Sequence, residues 1–196
     1  EGIGTNLLSI SGGADMAKFV LSGNQLLFRA GTVLDYEIQN TFLVTLTVSD
    51  GQTAPLVRTF TVLLTDVNER PAISDISNQA TDEDVPTASI SLTVGDPETA
   101  AGSLVVTAAS SNPTLVPDGN WTFGGSGTNR TLTLVPAANR SGTATITVTV
   151  SDGSLTSSDS FVLTVNAVSD APTISDISNQ ATNEDAATSA IAFTVN

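Results

Sequence analysis

The sequence predicts an all-β protein assembled from tandem β-sandwiches, and three observations carry that reading. Apolar and polar residues alternate with a period of two in the clearest segments. Short strand-forming runs, rich in Thr, Val and Ser, are separated by Gly, Asn, Asp and Pro turns with no convincing stretch of helical periodicity. A long internal repeat tiles the chain. An antiparallel sheet covered on one face produces this alternation, because successive side chains point to opposite faces.

In chain order, Phe42, Val44, Leu46 and Val48 form one face of a strand and Leu43, Thr45 and Thr47 the other. The segment Thr45-Leu46-Thr47-Val48-Ser49-Asp50-Gly51 ends in an Asp-Gly turn, which favours a hairpin. Asp66-Val67-Asn68-Glu69-Arg70-Pro71 follows. Proline removes a ladder donor and restricts the residue before it, so Pro71 marks a chain leaving one sheet and entering another. Ile73-Ser74-Asp75-Ile76-Ser77-Asn78-Gln79-Ala80-Thr81 then opens a unit that recurs letter for letter from Ile174 to Thr182, a spacing of 101. Over Pro71 to Val94 against Pro172 to Val195, 16 of 24 positions are identical. Within the unit, Ile146, Val148 and Val150 alternate with Thr145, Thr147 and Thr149 and run into Ser151-Asp152-Gly153, which echoes the first hairpin. Phe161, Leu163 and Val165 supply the apolar row of the returning strand.

These repeats set the expected boundaries. Residues 1–70 are the later part of one repeat, 71–171 a complete repeat, and 172–196 the first strands of a third. Aligned on the complete repeat, Asn196 falls at Gly95 and Glu1 near Glu98, so both ends map to the same loop. Two readings follow. The sequence is a window on a longer tandem array, or the tail of one copy completes the head of another by strand donation, because an incomplete sandwich exposes its edges.

Composition narrows the function. A chain of 196 residues with 40% hydrophobic content supports a packed core. Cysteine and histidine are absent, which removes disulfides, thiolate metal sites, the usual general base and any Ser-His or Cys-His nucleophile. Twenty acidic against six basic side chains leave a net charge of −14, which repels nucleic acid and anionic membrane surfaces and attracts cations. No apolar run is long enough to span a membrane and no basic-then-apolar leader starts the chain, which leaves a cytosolic protein or, the reading we prefer, an internal piece of a longer exported protein, extracellular, at the cell surface or secreted. Asp, Asn and Glu ahead of Pro71 are hard oxygen donors of the kind calcium prefers, although a polar linker would look the same.

A family resemblance adds to this. Leu34-Asp35-Tyr36-Glu37 before a strand, then Asp66 to Pro71 some thirty residues later, resembles the cadherin repeat, whose LDxE segment and DxNDNxP linker bind calcium between successive domains. The complete repeat resembles the cadherin-like repeats tiled through giant bacterial surface and adhesion proteins, a likeness carried by Pro136-Ala137-Ala138-Asn139-Arg140-Ser141-Gly142 and by Thr145 to Gly153. The resemblance implies Ig-like/cadherin-like Greek-key sandwiches. It also implies a calcium site using Asp35 and Glu37 from the head, Asp66, Asn68 and Glu69 from the linker, and Asp96, Glu98 and Asp152 from the next repeat. The match has departures: Glu69 stands where cadherins carry Asp, Arg70 where they carry Asn, and the linker is one residue shorter. The second linker, Asn166 to Pro172, keeps one acid, leaving Glu83 and Asp170 as its candidates, so calcium is expected at the first linker and not the second.

Other features are secondary. Asn120, Asn129 and Asn139 begin N-glycosylation triplets, which are common by chance in a Thr-rich chain. Trp121 suits a core better than a sugar platform, and Asp82-Glu83-Asp84 does not present two carboxyls across a cleft as glycoside hydrolysis requires. The expected function is a non-catalytic extracellular stalk or adhesive rod of tandem cadherin-like domains, stiffened by calcium. Its expected partners are neighbouring repeats of the same or another copy and cell-surface proteins or glycans. The alternatives are a strand-donating fibre subunit and a carbohydrate-binding accessory module of a secreted enzyme. The single Trp and single Tyr speak against the last.

Overall fold

A computed structural model describes residues 6–195, so the alignment of Glu1 and Asn196 to one loop lies outside the described residues. The chain forms two compact units, one comprising Glu1–Arg70 with Asp96–Glu98, the other Pro71–Gly95 with Thr99–Asn196.

In the first unit β1 (Leu7–Gly12), β2 (Phe19–Ser22), β3 (Gln25–Phe28), β4 (Thr41–Ser49) and β5 (Leu56–Leu63) follow in order, with a single 3-10 turn at Met16–Lys18. β4 is the central strand, antiparallel to β1 on one side and to β5 on the other, while β2 and β3 form a separate hairpin. The period-two pattern lands as the pleat requires, with Phe42 and Val44 buried and Leu43 exposed. Phe19, Phe28 and Phe42 fill the core, Phe28 stacking on Phe19 at 4.6 Å between ring centroids and meeting Phe42 edge-on at 5.1 Å. Gly13 follows the register shift of β1 with φ +94°, and a Cβ there would lie 2.4 Å from the Leu43 carbonyl oxygen, so only glycine fits.

The second unit is a closed sandwich of β6 (Ala72–Ile73), β7 (Gln79–Asp82), β8 (Ile90–Gly95), β9 (Val105–Ser110), β10 (Trp121–Ser126), β11 (Asn129–Leu134), β12 (Gly142–Ser151) and β13 (Thr156–Asn166). One sheet runs β10-β11-β8-β6 and the other β7-β13-β12-β9. All pairings are antiparallel except β7 with β13, from Leu163↔Gln79 to Asn166↔Asp82. The inward rows Ile90, Leu92, Val94, Leu132 and Leu134 meet Ile146, Val148, Val150, Phe161, Leu163 and Val165 in one core, with Trp121 half-buried against it. The buried hydroxyl of this core is hydrogen-bonded, whereas Arg130 Nε is buried with no hydrogen-bond partner among the described residues. Buried Thr87 donates its amide to the Leu134 carbonyl at 2.9 Å and accepts the Leu134 amide on Oγ1 at 3.0 Å. The link between β6 and β7 is fixed to β13 by two side chains: Asp159 Oδ2 accepts the Ile76 amide at 2.7 Å, and Asn78 Oδ1 accepts the Val162 amide at 2.8 Å. Residues 172–195 lie outside these sheets, exposed throughout, with an isolated antiparallel bridge Ile174↔Val195.

Candidate metal centre

The acidic group of the first unit is assembled from three short segments. Downstream of β3, the Asp35 carboxylate accepts the Ile38 amide at 2.9 Å and its carbonyl accepts the Gln39 amide at 2.9 Å, a turn that leaves Glu37 on the exposed side. Beyond β5, Leu64 donates its amide to the Asn40 carbonyl at 2.9 Å, which fixes the strand end two residues before Asp66. After β8, Asp96 accepts the Glu98 amide at 3.1 Å, and Glu98 in turn accepts the Glu69 amide at 3.3 Å. One carboxylate oxygen from each of Glu37, Asp66 and Glu98 lies within 4.8 Å of the others, and all three residues are exposed.

The electrostatics register this crowding. The Glu98 side chain, hydrogen-bonded to that of Glu69, pushes the Glu69 carboxyl up to about 7, with desolvation and the charges of Glu98, Glu37 and Asp66 adding to it. Glu98 moves down for the same reason, as the acceptor of that hydrogen bond, so the two share one proton. Glu37 is drawn down by its own backbone amide, but desolvation and the charges of Glu98, Asp66 and Asp35 outweigh this and its net direction is up.

Of the residues singled out in the sequence, the fold gathers Glu37, Asp66 and Glu98, with Glu69 joined to Glu98. Asp35 supports the turn behind Glu37. Asn68 donates its side-chain amide to the Glu69 carbonyl at 2.9 Å. Asp96 orients Glu98. Asp152 belongs to the second unit and takes the amides of Ser154 and Leu155 at 2.5 and 2.7 Å, the job of the first residue in an Asp-Gly turn. At the second linker the Glu83 carboxylate accepts the Val168 amide at 2.6 Å. Asp15, which carries no motif, proves to be a structural hub. It accepts from Gln39 Nε2 at 2.8 Å and the Leu43 amide at 2.9 Å and pairs with Lys18 at 3.4 Å; the Gln39 bond is the main reason its carboxyl is held below the usual range.

Oxygen-only donors, convergence of three carboxylates on a small volume, and a Glu69 carboxyl raised by its hydrogen bond to Glu98 together fit a hard divalent cation. Calcium suits this exposed set, since it accepts carboxylates and water together in variable number, whereas zinc favours nitrogen and sulfur ligands.

A model of the bacterial Ig domain family matches residues 68–166. No curated protein sequence matches the chain. Among solved structures, the chain resembles the protocadherin gamma B4 extracellular domain with a TM-score of 0.58 at 20% identity, covering 97% of this chain and 32% of that one. It also resembles human protocadherin-24 EC1-2, with a TM-score of 0.57 at 18% identity, covering 83% of this chain and 82% of that one. Against protocadherin gamma B7 EC3-6 the TM-score is 0.54 at 17% identity, and the chain spans 43% of that structure. At these identities the likeness is one of fold.

Proposed function

The chain belongs to the bacterial Ig domain family, and from that premise we propose that it is an extracellular stalk or adhesion module whose first unit binds calcium through Glu37, Asp66 and Glu98, with Glu69 beside them. The convergence of the three carboxylates is the observation that carries this reading. Asp35 and Asp96 position the ligands, and Asn68 lies within the same linker. When bound, the cation supplies positive charge that neutralises the cluster. The protein's own residues would do the rest: Glu69 would give up its shared proton, the Asp96 turn would hold Glu98 in place, and Glu37 and Asp66 would complete the set of carboxylate oxygens. On this reading the chain is a scaffold, and stiffening by an extracellular ion suits a rod that must hold a terminal surface away from a cell.

Calorimetry with calcium and with a chelator tests this. Calcium should raise the melting temperature, with a shift growing as the logarithm of its concentration above Kd. The Glu37→Ala, Asp66→Ala double variant should lose the response while keeping the chelated melting temperature at or above that of the parent, because repulsion is relieved. No response in the parent, or an equal response in the variant, overturns the reading.

A further inference from the structure

The inner rows of the second unit hold one cation. On β11, Arg130 alternates with the fully buried Leu132 and Leu134, and it stands in register with buried Leu92 of β8 on one side and with Gly125 of β10 on the other. Its side chain therefore extends from the end of an apolar row. Nη2 donates to the Ala101 carbonyl at 2.8 Å, and Nε is buried with no hydrogen-bond partner. Although acidic side chains outnumber basic ones by 20 to 6, no carboxylate among the described residues forms an ion pair with Arg130. Asp159, the acid of the facing rows, is held by the Ile76 amide instead.

A cleft borders this guanidinium. β9 and β10 are the outer strands of their two sheets, and Leu104 and Val106 on the β9 side face Phe123, Gly124 and Gly125 of β10 around about 150 Å³, with Arg130 in the wall. Apart from Arg130, the side chains that line it are apolar. Leu104 is buried, and Val106 and Phe123 pack against the core. Gly125 has φ +79°, and a Cβ there would lie 2.4 Å from the Asn129 carbonyl oxygen, so the position paired with Arg130 carries no side chain to cover it.

A charge held against an apolar core costs free energy unless an opposite charge meets it, and a backbone carbonyl supplies only a dipole. We propose that the cleft binds a short aliphatic monocarboxylate, whose anionic head pairs with Arg130 and whose apolar body lies against Leu104, Val106 and Phe123. The donors left over suit this head. Nη1 has no protein partner among the described residues and Nη2 keeps a second N–H, which together present the fork that a planar carboxylate accepts with its two oxygens. Sulfate and phosphate fit less well, because they bring more charge and more acceptors than one guanidinium among apolar walls can meet. A sugar acid fits less well too, since its ring hydroxyls would face Val106 and Phe123 with no partner.

Nuclear magnetic resonance on the whole 196-residue chain tests the idea, with a chelator present so that no divalent cation takes part. Five arginines give five Nε–Hε resonances, and those of Arg29, Arg58, Arg70 and Arg140 serve as internal controls. Propionate exchanged for chloride at constant ionic strength should move the Arg130 resonance to saturation and leave the other four in place. The melting temperature should rise with the logarithm of propionate concentration above Kd. Arg130→Met keeps an apolar stem and removes the charge, so it should abolish the thermal response. The titration of the parent decides the matter even where that variant fails to fold. An unmoved Arg130 resonance overturns the proposal, as does an equal shift at all five arginines, an equal shift with chloride alone, or a thermal response kept by Arg130→Met. Glucuronate or sulfate binding as tightly as propionate overturns the assignment of an aliphatic carboxylate.

Discussion

Residues 71–94 and 172–195 share 16 of 24 residues and matching local hydrogen bonds, and they differ in what covers them. In the first copy the apolar row is sealed by β11 and β13, while in the second it faces water. The local shape therefore comes from short-range polar chemistry: serine and threonine hydroxyls bonding to the backbone, and an aspartate tolerating a left-handed conformation. Burial comes from partners tens of residues away. Shape is encoded locally and stability is not.

The sharpest way to break this comparison is to make one substitution in both copies. Ile90→Ala removes a buried side chain and should cost about 2–5 kcal/mol in urea unfolding, whereas Ile191→Ala, at an exposed site, should change stability by less than about 0.5 kcal/mol under monomeric conditions. Equal costs would mean that the tail is buried in solution. A smaller effect is expected from Asp159→Ala, which strips the Ile76 amide of its acceptor and makes the first copy resemble the second. A loss of about 1–3 kcal/mol in the same measurement checks it.

The smallest effect contrasts the two linkers. With a chelator present, Glu69 has its carboxyl raised from an ordinary 4.5 to about 7, so its protonated form is favoured by folding. Its contribution is fully present below about 4.5 and is lost as pH rises through about 7. Glu98 moves the opposite way and contributes above the ordinary carboxylate range. The urea midpoint of the first unit should fall across that window, Glu69→Gln should flatten the slope, and calcium should remove it by displacing the shared proton. An unchanged slope in Glu69→Gln would assign the pH dependence to other carboxylates.

Much of the fold was legible because period-two alternation and Asp-Gly turns are local signals, and the exact recurrence from Ile73 to Thr81 marked the tandem organisation. The cadherin-like motifs pointed to Glu37, Asp66 and Glu98, which the fold brings together. Contacts with no spacing signature stayed hidden. Asp15 meets Gln39 and Leu43 across more than twenty residues, and Asp159 reaches Ile76 across 83. Asp152 shows the opposite limit. A turn acid and a ligand acid read alike in sequence, and only the structure shows its carboxylate engaged by its own hairpin.

The one parallel strand pairing among the described residues, β7 alongside β13, has a mechanical consequence. Tension applied through the chain ends of the second unit pulls β7 from its N-terminal side and β13 from its C-terminal side, in opposite directions along a shared ladder running from Gln79↔Leu163 to Asp82↔Asn166. The hydrogen bonds of that ladder are then loaded in shear, all at once, instead of being unzipped one at a time. Once the two-residue pairing of β6 with β8 and the Ile76 link have peeled away, further extension must break that ladder together, which makes this short pair the next barrier to unfolding under load.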